Sequence, residues 1–468
     1  MSIDVSKSLD YSHKELSAGS YTLRIVNPEN GQPSLQQSST ISTDFLLPNK
    51  VFNLSRSYLN FNLECAGEVN QFNHIHSGFL AAIDGIVLRT AGGVTLVEMN
   101  NLPEYTKVAW RPQTNYEDFM TFPCHNYSTA TAAAVTQPGQ LFNRIRAANG
   151  TASDAAFAAS SYHCAAEDGK TYVAASDDYT AVANYVVQET KSAGNAVRVQ
   201  LPLKMIYGSL LAVDKDLYFG EQIRLTIRWN QWAKTAWNSP TTTYDVAGAS
   251  TDIGAAPALT GVQLQIAMET NDAIVQNLIQ KIESGSGIQI NVPYTYVHKA
   301  VGANSANSNA TIIRKVNRGM GSKLLRVLVG VYSDSANQIG FRYCNNYNYG
   351  STKWSGYRTY LDSIPIQDNN LLMSDFSVWQ YHSDKLKGSV CKDFRDWAQC
   401  PTIIQDFSGV PRTCDYPETD HVVAGLDLAR EREFALQLYN VAANLTVLFF
   451  FVCQKQLSIS KSAGISLQ

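Results

Sequence analysis

The sequence predicts an all-β chain built from two tandem eight-stranded jelly-roll β-sandwiches, with long loop insertions and few short helices. Several segments alternate apolar and polar residues with a period of two, which is typical of antiparallel strands with one buried and one wet face. The 468 residues are enough for two large all-β domains. Each half of the chain also opens with an alternating strand and closes with a strongly apolar strand.

In the first half, the stretches SYLNFNLEC and EQIRLTIRW predict two strands with one apolar face each. Polar residues such as Asn60 and Arg224 alternate with the apolar ones and should face outward. The residues predicted to face the core are Leu59, Phe61, Leu63, Cys65, Ile223, Leu225, Ile227 and Trp229.

The second half opens with GVQLQIAME, where Val262, Leu264, Ile266 and Met268 should face inward. Lys323–Ser333 is predicted to be a more fully buried strand. The stretch from Glu433 to Ser460 is predicted to form two strands with a turn near residues 442–444.

The most apolar stretch is LTVLFFFVC, residues 445–453, which has eight apolar residues among nine and no charge. A helix across a bilayer needs about 20 apolar residues, and a barrel strand would be apolar on one face only. We therefore predict a core strand of the second jelly roll, buried between its two sheets.

One helix is clearly predicted, in NDAIVQNLIQKIESGSG. Asn271 or Asp272 can cap its start and Gly285 follows its end. The apolar stripe at helical spacing consists of Ile274, Val275, Leu278, Ile279 and Ile282. GLDLAREREF is compatible with either a helical turn or a tight loop.

These patterns divide the chain into an N-terminal arm (1–39), a first jelly roll (40–237), a linker (238–260), a second jelly roll (261–460) and a C-terminal tail (461–468). The first jelly roll contains an insertion rich in Ala, Ser, Thr and Asn at about 128–195. Loops of this length usually carry function or a small subdomain, so we expect the insertion on an exposed face.

The composition of the chain narrows the classes of function and the cellular compartment that fit it. A net charge of −3 does not provide the excess of positive charge that is typical of nucleic-acid-binding proteins. Charged residues make up 16% of the chain, against about 25% in ordinary domains, so we expect much of the surface to be covered by other subunits. The eight cysteines lack C-x-x-C spacing and the first residues lack an apolar signal segment, which predicts free thiols and folding in cytosol or nucleus.

No residue is assigned to catalysis, to a cofactor or to a metal. His74 and His76 have a spacing that can chelate zinc, but no third ligand is near them in sequence. Nothing in the sequence pairs the carboxylates that a sandwich-type glycosidase would need. The candidate carboxylates are Glu64, Glu98, Glu221 and Glu269.

Two further stretches allow contact functions. The densest basic cluster consists of Arg314, Lys315, Arg318, Lys323 and Arg326, and it lacks the interleaved aromatic residues of a single-strand nucleic-acid site. Residues 341–363 contain five tyrosines, a tryptophan and a phenylalanine. They are compatible with a Tyr-rich strand pair or with a contact between subunits.

The run LPLKMIYGSLLAVDKDLYFGEQIRLTIRW, residues 201–229, resembles the close of the first jelly roll in double jelly-roll major capsid proteins of eukaryotic double-stranded DNA viruses. TKWSGYRTYLDSIPI, GLDLAREREFALQLYN and the terminal LTVLFFFVCQKQLSIS are similar to segments of the second jelly roll of that family. The capsid proteins of polinton-like viruses, adintoviruses and virophages look closest, and those of nucleocytoplasmic large DNA viruses are more distant.

The resemblance implies a structural protein without enzymatic activity or cofactors. It implies a homotrimer that forms a pseudo-hexameric capsomer and tiles an icosahedral shell, with penton and minor capsid proteins as further partners. It also implies localisation in the virion capsid after assembly in host cytoplasm or nucleus. The 128–195 insertion would lie on the outer side of the shell, and no direct contact with nucleic acid is expected. Contact with an internal membrane stays open. The alternatives are a carbohydrate-binding or glycosidase-type sandwich, and a viral penton or receptor-binding protein with one sandwich.

Overall fold

A computed structural model of the chain describes residues 20–36, 39–64, 71–73, 82–113, 124–126, 145–147, 185–187, 196–231, 236–238, 251–252, 258–302, 308–333, 355–368, 370–372, 403–408, 425–441 and 445–468. Strands dominate these ranges, which also contain the α-helices α1 (Leu102–Gln113) and α2 (Asp272–Glu283).

The strands up to the middle of the chain are β1 (Tyr21–Val26), β2 (Ile41–Leu47), β3 (Phe52–Glu64), β4 (Gln71–Asn73), β5 (Ile83–Thr90), β6 (Thr95–Asn100), β7 (Cys124–Asn126), β8 (Ile145–Ala147), β9 (Tyr185–Val187), β10 (Ala196–Pro202), β11 (Asp216–Leu217), β12 (Ile223–Trp229), β13 (Ala236–Asn238), β14 (Thr251–Asp252) and β15 (Ala258–Glu269). Those that follow are β16 (Ile288–Gly302), β17 (Ser308–Val316), β18 (Lys323–Ser333), β19 (Gly356–Leu361), β20 (Ile364–Pro365), β21 (Leu371–Leu372), β22 (Ile403–Asp406), β23 (Leu426–Asp427), β24 (Arg432–Val441), β25 (Leu445–Ser460) and β26 (Gly464–Leu467).

The first sandwich consists of two antiparallel sheets. Sheet A has the order β1-β15-β3-β10-β7, with β11 also paired to β3, and sheet B has the order β2-β12-β5-β6. The sheets meet where Phe61 packs edge-on against Trp229, with ring centroids 5.3 Å apart. Trp229 Nε1 donates a hydrogen bond of 2.7 Å to Thr43 Oγ1, so the polar atom of this buried ring is satisfied inside the core.

The second sandwich has the same plan. Sheet C has the order β16-β25-β18-β22, with short β23 and β26 at its margins, and sheet D has the order β17-β24-β19-β20, with β21 also paired to β19. Phe434 of sheet D meets Phe449 and Phe451 of sheet C edge-on, with ring centroids 6.3 and 6.1 Å apart. The predicted all-β class with two tandem sandwiches and few helices is confirmed.

Several predicted patterns are confirmed in detail. Every second residue of β12 from Ile223 to Trp229 is buried, while Arg224 is exposed. The predicted helix is α2, capped by Asn271 Oδ1, which accepts a 3.0 Å hydrogen bond from the Ala273 N–H. GLDLAREREF contains no helix: β23 and β24 are joined by a tight loop in which Asp427 Oδ1 accepts from the Ala429 N–H at 2.9 Å.

The placement of β15 corrects the proposed division of the chain. Residues 258–269 were divided between the linker and the second jelly roll, but β15 pairs with β1 and β3 in sheet A of the first sandwich. The alternation of a strand shows which of its faces is buried and does not show which sheet it joins. The register also shifts between Gln265 and Ala267, so Ala267 is buried and Met268, predicted to face inward, is only half-buried.

Both ends of the chain also differ from the prediction. The N-terminal arm contributes β1, which pairs with β15 along its full length from Tyr21 to Val26. The C-terminal tail contributes β26, which pairs with β25. The predicted turn at 442–444 lies outside the described residues, and the strands on either side of it belong to different sheets, β24 to sheet D and β25 to sheet C.

Helix α1 was not predicted. Its first turn contains Pro103, which is tolerated there because the first N–H groups of a helix have no partner within the helix, and Glu104, which suits the positive end of the helix dipole. These two residues are the start signal that the sequence offers. Within the described ranges, neither helix has the length and apolar character that a membrane-spanning segment requires.

Candidate assembly surfaces

The two sandwiches contact each other through the outer face of sheet C. Tyr105 of α1, in the first sandwich, packs edge-on against Phe450 of β25, with ring centroids 5.2 Å apart. The Tyr105 hydroxyl donates a 2.6 Å hydrogen bond to the Tyr207 carbonyl. The Thr295 hydroxyl of β16 donates a 2.8 Å bond to the Gly208 carbonyl. The Tyr105 and Thr295 hydroxyls are therefore hydrogen-bonded inside this buried contact, as buried polar groups generally are.

This contact explains why residues 445–453 are apolar on both faces. Phe449 and Phe451 face Phe434 of sheet D, whereas Phe450 faces Tyr105 of the first sandwich. The predicted burial is confirmed, but only one face of the strand lies between the two sheets of its own sandwich. The other face is covered by α1 and the segment around Gly208.

The segment at 203–212 owes its shape to three local features. Short 3₁₀ turns form at Leu203–Met205 and Leu210–Ala212, and Gly208 between them has φ +70°. Ser209 Oγ donates to the Ile206 carbonyl at 2.6 Å and accepts from the Leu211 N–H at 3.3 Å. Glycine is favoured at Gly208 because it adopts positive φ without steric cost. This segment belongs to the run on which the family resemblance rests.

On the face of sheet C that carries Phe451, Lys455 lies over two tyrosine rings of β16. Its ammonium nitrogen is 5.0 Å from the ring centroid of Tyr294 and 5.6 Å from that of Tyr296, within the range of cation–π attraction. Burial lowers the pKa of Lys455. Burial, with Glu98 of the first sandwich nearby, raises the pKa of Tyr294 to about 12. The lysine here packs against aromatic rings and is not a free surface charge.

A polar cluster, here called the β1 latch, ties β1 to its own sandwich. Arg56 Nε donates to Asp214 Oδ1 at 3.0 Å and Arg56 Nη2 donates to Asp214 Oδ2 at 3.1 Å. The Tyr21 hydroxyl donates to Asp216 Oδ1 at 2.9 Å, and the Arg56 guanidinium lies 4.6 Å from the centroid of the Tyr21 ring. The hydrogen bond from Arg56 holds the pKa of Asp214 below its ordinary value. Burial, followed by the hydrogen bond to Asp216, raises the pKa of Tyr21 to about 12.

The predicted basic cluster does not form one surface. Arg326 is buried in β18, a strand with both faces covered. Lys315 on β17 forms a 2.7 Å ion pair with Glu431, while Arg314 Nη2, from the adjacent residue, donates to the Lys299 carbonyl at 3.1 Å. Neighbouring residues of a strand point to opposite faces, so closeness in sequence did not bring these charges together.

The candidate carboxylates have separate structural roles. Glu269 Oε1 accepts from the Ser20 and Asn271 N–H groups at 2.9 and 2.7 Å, and Glu221 Oε2 accepts from the Gly92 N–H at 3.1 Å. Glu64 ends β3 in sheet A, whereas Glu98 lies on β6 in sheet B. The four positions are therefore spread over both sheets and a loop of the first sandwich.

Other predicted sites are described only in part. His74, His76 and the 128–195 insertion lie outside the described residues, apart from β8 and β9. Among the residues that the structure covers, no group of three potential metal ligands occurs.

Cys453 is a free buried thiol, and burial raises its pKa to about 12. In the Tyr-rich stretch, Tyr357 is buried in the core, and the Tyr360 hydroxyl donates to Gln437 Oε1 at 2.9 Å on the outer face of sheet D.

Two antiparallel sandwiches packed side by side in one chain define a double jelly-roll fold. No protein-family model and no curated protein matches the sequence. The PBCV-1 virus capsid matches with a TM-score of 0.52 and 9% identity, over 96% of this chain and 96% of that one. The mavirus major capsid protein matches with a TM-score of 0.51 and 9% identity, over 100% and 95% of the two chains. The Faustovirus major capsid protein matches with a TM-score of 0.50 and 10% identity, over 97% and 92%.

These structures are double jelly-roll major capsid proteins, and the matches extend over nearly the whole chain. The resemblance seen in the sequence is therefore confirmed for the fold. The alternative of a penton or receptor-binding protein was predicted to show a single sandwich, and the chain has two.

Proposed function

We propose that the chain is a major capsid protein that trimerises into pseudo-hexameric capsomers and tiles the icosahedral shell of a DNA virus. The observation that carries the proposal is the end-to-end match with capsid proteins. It covers both sandwiches and their arrangement, rather than one sandwich alone. Many unrelated proteins contain one jelly roll, but two in tandem over the full chain narrow the comparison to capsid subunits.

Composition and chemistry support a structural role. The charged fraction of 16% suits a surface that is largely covered by other copies. The polar clusters of the described residues, the β1 latch and the contact at Gly208, join elements of the chain to each other. We therefore propose that the protein is not an enzyme and acts through self-association in the virion.

The same proposal includes the remaining partners. Penton and minor capsid proteins would contact the capsomers at the vertices and beneath the shell, and an internal membrane is a further potential contact. We propose that assembly takes place in host cytoplasm or nucleus.

The division of the chain, revised for β1, β15 and β26, becomes a first jelly roll from about residue 20 to 269 and a second from about 288 to 468, joined by α2.

Electron microscopy of the purified full-length chain tests the proposal. We expect hexagonal capsomers, and closed or sheet-like hexagonal arrays at high concentration. A chain that stays as single 51.5 kDa particles under all assembly conditions tried would contradict it. Hydrolysis of, or saturable binding to, a panel of glycans would instead support the carbohydrate-active alternative.

A further inference from the structure

The described residues cover the apolar stripe of α2 unevenly. Near the C-terminal end of the helix, Ile282 is buried and Leu278 packs against the core, and the Ile282 carbonyl accepts a 3.2 Å hydrogen bond from the Lys461 N–H. Isoleucine and valine are among the side chains most often fully buried. Three of them on α2 are nevertheless only half-buried, and they are Ile274, Val275 and Ile279. This part of the stripe therefore has room for a further apolar cover.

Just before α2, a buried carboxylate has one oxygen without a donor in the described part of the chain. Glu269 is 6% exposed. Its Oε1 accepts from the Ser20 and Asn271 N–H groups at 2.9 and 2.7 Å, whereas its buried Oε2 has no hydrogen-bond partner among the described residues. A buried acceptor of this kind costs free energy until a donor reaches it. The site therefore indicates that a further polar group belongs beside the start of α2.

The N-terminal part of the chain joins the described residues at this same point. The Ser20 carbonyl accepts from the Thr270 N–H at 2.7 Å and from the Thr270 hydroxyl at 2.8 Å, which continues the antiparallel pairing of β1 with β15. Traced backwards from Ser20, an antiparallel partner runs in the same direction as the chain from Thr270 into α2. Residues 1–19 lie outside the described residues, and their point of attachment is beside the first turn of α2, where Ile274 and Val275 lie.

Residues 1–19 are long enough and apolar enough to cover the stripe. α2 has 12 residues and is about 18 Å long at about 1.5 Å per residue, a distance that about six extended residues span. The apolar side chains of the segment are Ile3, Val5, Leu9, Tyr11 and Leu16. A tethered segment has an effective concentration on the order of millimolar, which favours it over a separate molecule as the cover of α2.

We propose that residues 1–19, here called the N-terminal strap, fold back onto α2 of the same copy and complete the cover of Ile274, Val275 and Ile279. The donor for Glu269 Oε2 comes from the same segment, whose donating side chains nearest to Ser20 in sequence are Ser17 and Lys14. The strap thereby ties the start of β1 to the helix that joins the two jelly rolls. The inference concerns a single copy and is independent of the proposed capsid function.

Hydrogen–deuterium exchange of the full chain, followed by mass spectrometry, tests the inference. The variant V5Q/L9Q/L16Q replaces apolar side chains of the strap and keeps its length. We expect the amides of α2 to exchange about 10-fold faster in this variant, because uncovering a few apolar side chains shifts a local opening equilibrium by about this factor. The matched control S6Q/S8Q/S12Q changes three serines of the same segment and should exchange like the wild type. The amides of β12 should exchange alike in all three chains, which verifies that the fold is intact.

A variant of the helix gives an independent test of the same contact. I274Q/V275Q should speed the exchange of α2 to a similar extent, and combining it with V5Q/L9Q/L16Q should add little, since both remove the same contact. Glutamine favours helices at least as much as isoleucine and valine do, so a loss of helix propensity does not explain faster exchange.

Two kinds of result would overturn the inference. Unchanged exchange of α2 in V5Q/L9Q/L16Q, or effects of the strap and helix variants that simply add, would show that the strap does not contact the stripe. Protection of α2 that rises with protein concentration would show that a second copy covers it instead. Neither result bears on the proposed capsid function, which the electron microscopy of the capsomers tests separately.

Discussion

Gly208 lies in the contact between the two sandwiches and has a backbone conformation that side chains disfavour. Its φ is +70°, and a Cβ there would overlap Thr295 Oγ1 and approach the Tyr105 hydroxyl at 3.0 Å. Gly93 offers a comparison, since its φ is +89° with nothing within 4 Å of the Cβ position. The two glycines separate the backbone cost of a side chain from the cost of disturbing the interface.

We expect Gly208→Ala to lower the free energy of unfolding by about 3 kcal/mol and Gly93→Ala by about 1 kcal/mol. Positive φ alone costs an L residue about 1–2 kcal/mol, and overpacking adds about 1–3 kcal/mol. Urea denaturation of both variants checks the difference. Equal losses for the two would show that Gly208 is not part of a tight contact.

Phe450 tests the burial of the outer face of β25. Phe450→Asp would place a carboxylate against Tyr105 in the contact between the sandwiches, and such a buried, unpaired charge costs several kcal/mol, a large part of the stability of a protein. We expect insoluble chain on expression, whereas Phe450→Leu should remain soluble because its volume is similar. A soluble, well-folded trimer of Phe450→Asp would contradict the buried position.

At the scale of elements, the β1 latch predicts a pH dependence. The pKa of Asp214 in the folded chain lies below its ordinary value of 3.8. The stability that this carboxylate contributes is therefore fully present above about pH 4 and is lost as the pH falls below that value. Because Arg56 and Asp214 are half exposed, we expect the loss to be at most about 1 kcal/mol.

Urea denaturation between pH 5 and pH 2.5 checks this dependence. Wild type should lose more stability over this window than Asp214→Asn, and Arg56→Gln should show the same shallow slope as Asp214→Asn. If Asp214→Asn follows the wild-type slope, the latch does not account for the acid sensitivity of β1.

The elements that could be predicted from the sequence are those whose signal is local. β12 was found because its side chains follow the period of a strand, and β18 because it is a nearly continuous apolar run. α2 was found because Asn271 and Gly285 bracket an apolar stripe. β1 was missed, since four of its six residues are exposed and its alternation separates no core face. The assignment of β15 failed because pairing across 200 residues leaves no local trace.

The candidate surfaces were less predictable. The sequence showed that residues 445–453 are apolar on both faces, but the cover for the second face comes from α1, a helix that was not predicted.

At the scale of the whole molecule, two sandwiches of two sheets each pack against each other in one copy. The contact at Tyr105, Phe450 and Gly208 joins them inside one copy. The proposed trimer would contain six sandwiches. This count gives the pseudo-hexameric block of the proposed capsid function.

The molar mass of the purified chain in solution, measured by light scattering after size-exclusion chromatography, tests this account most directly. The account predicts a stable species near three times 51.5 kDa, which persists on dilution. A species of 51.5 kDa at every concentration would contradict it.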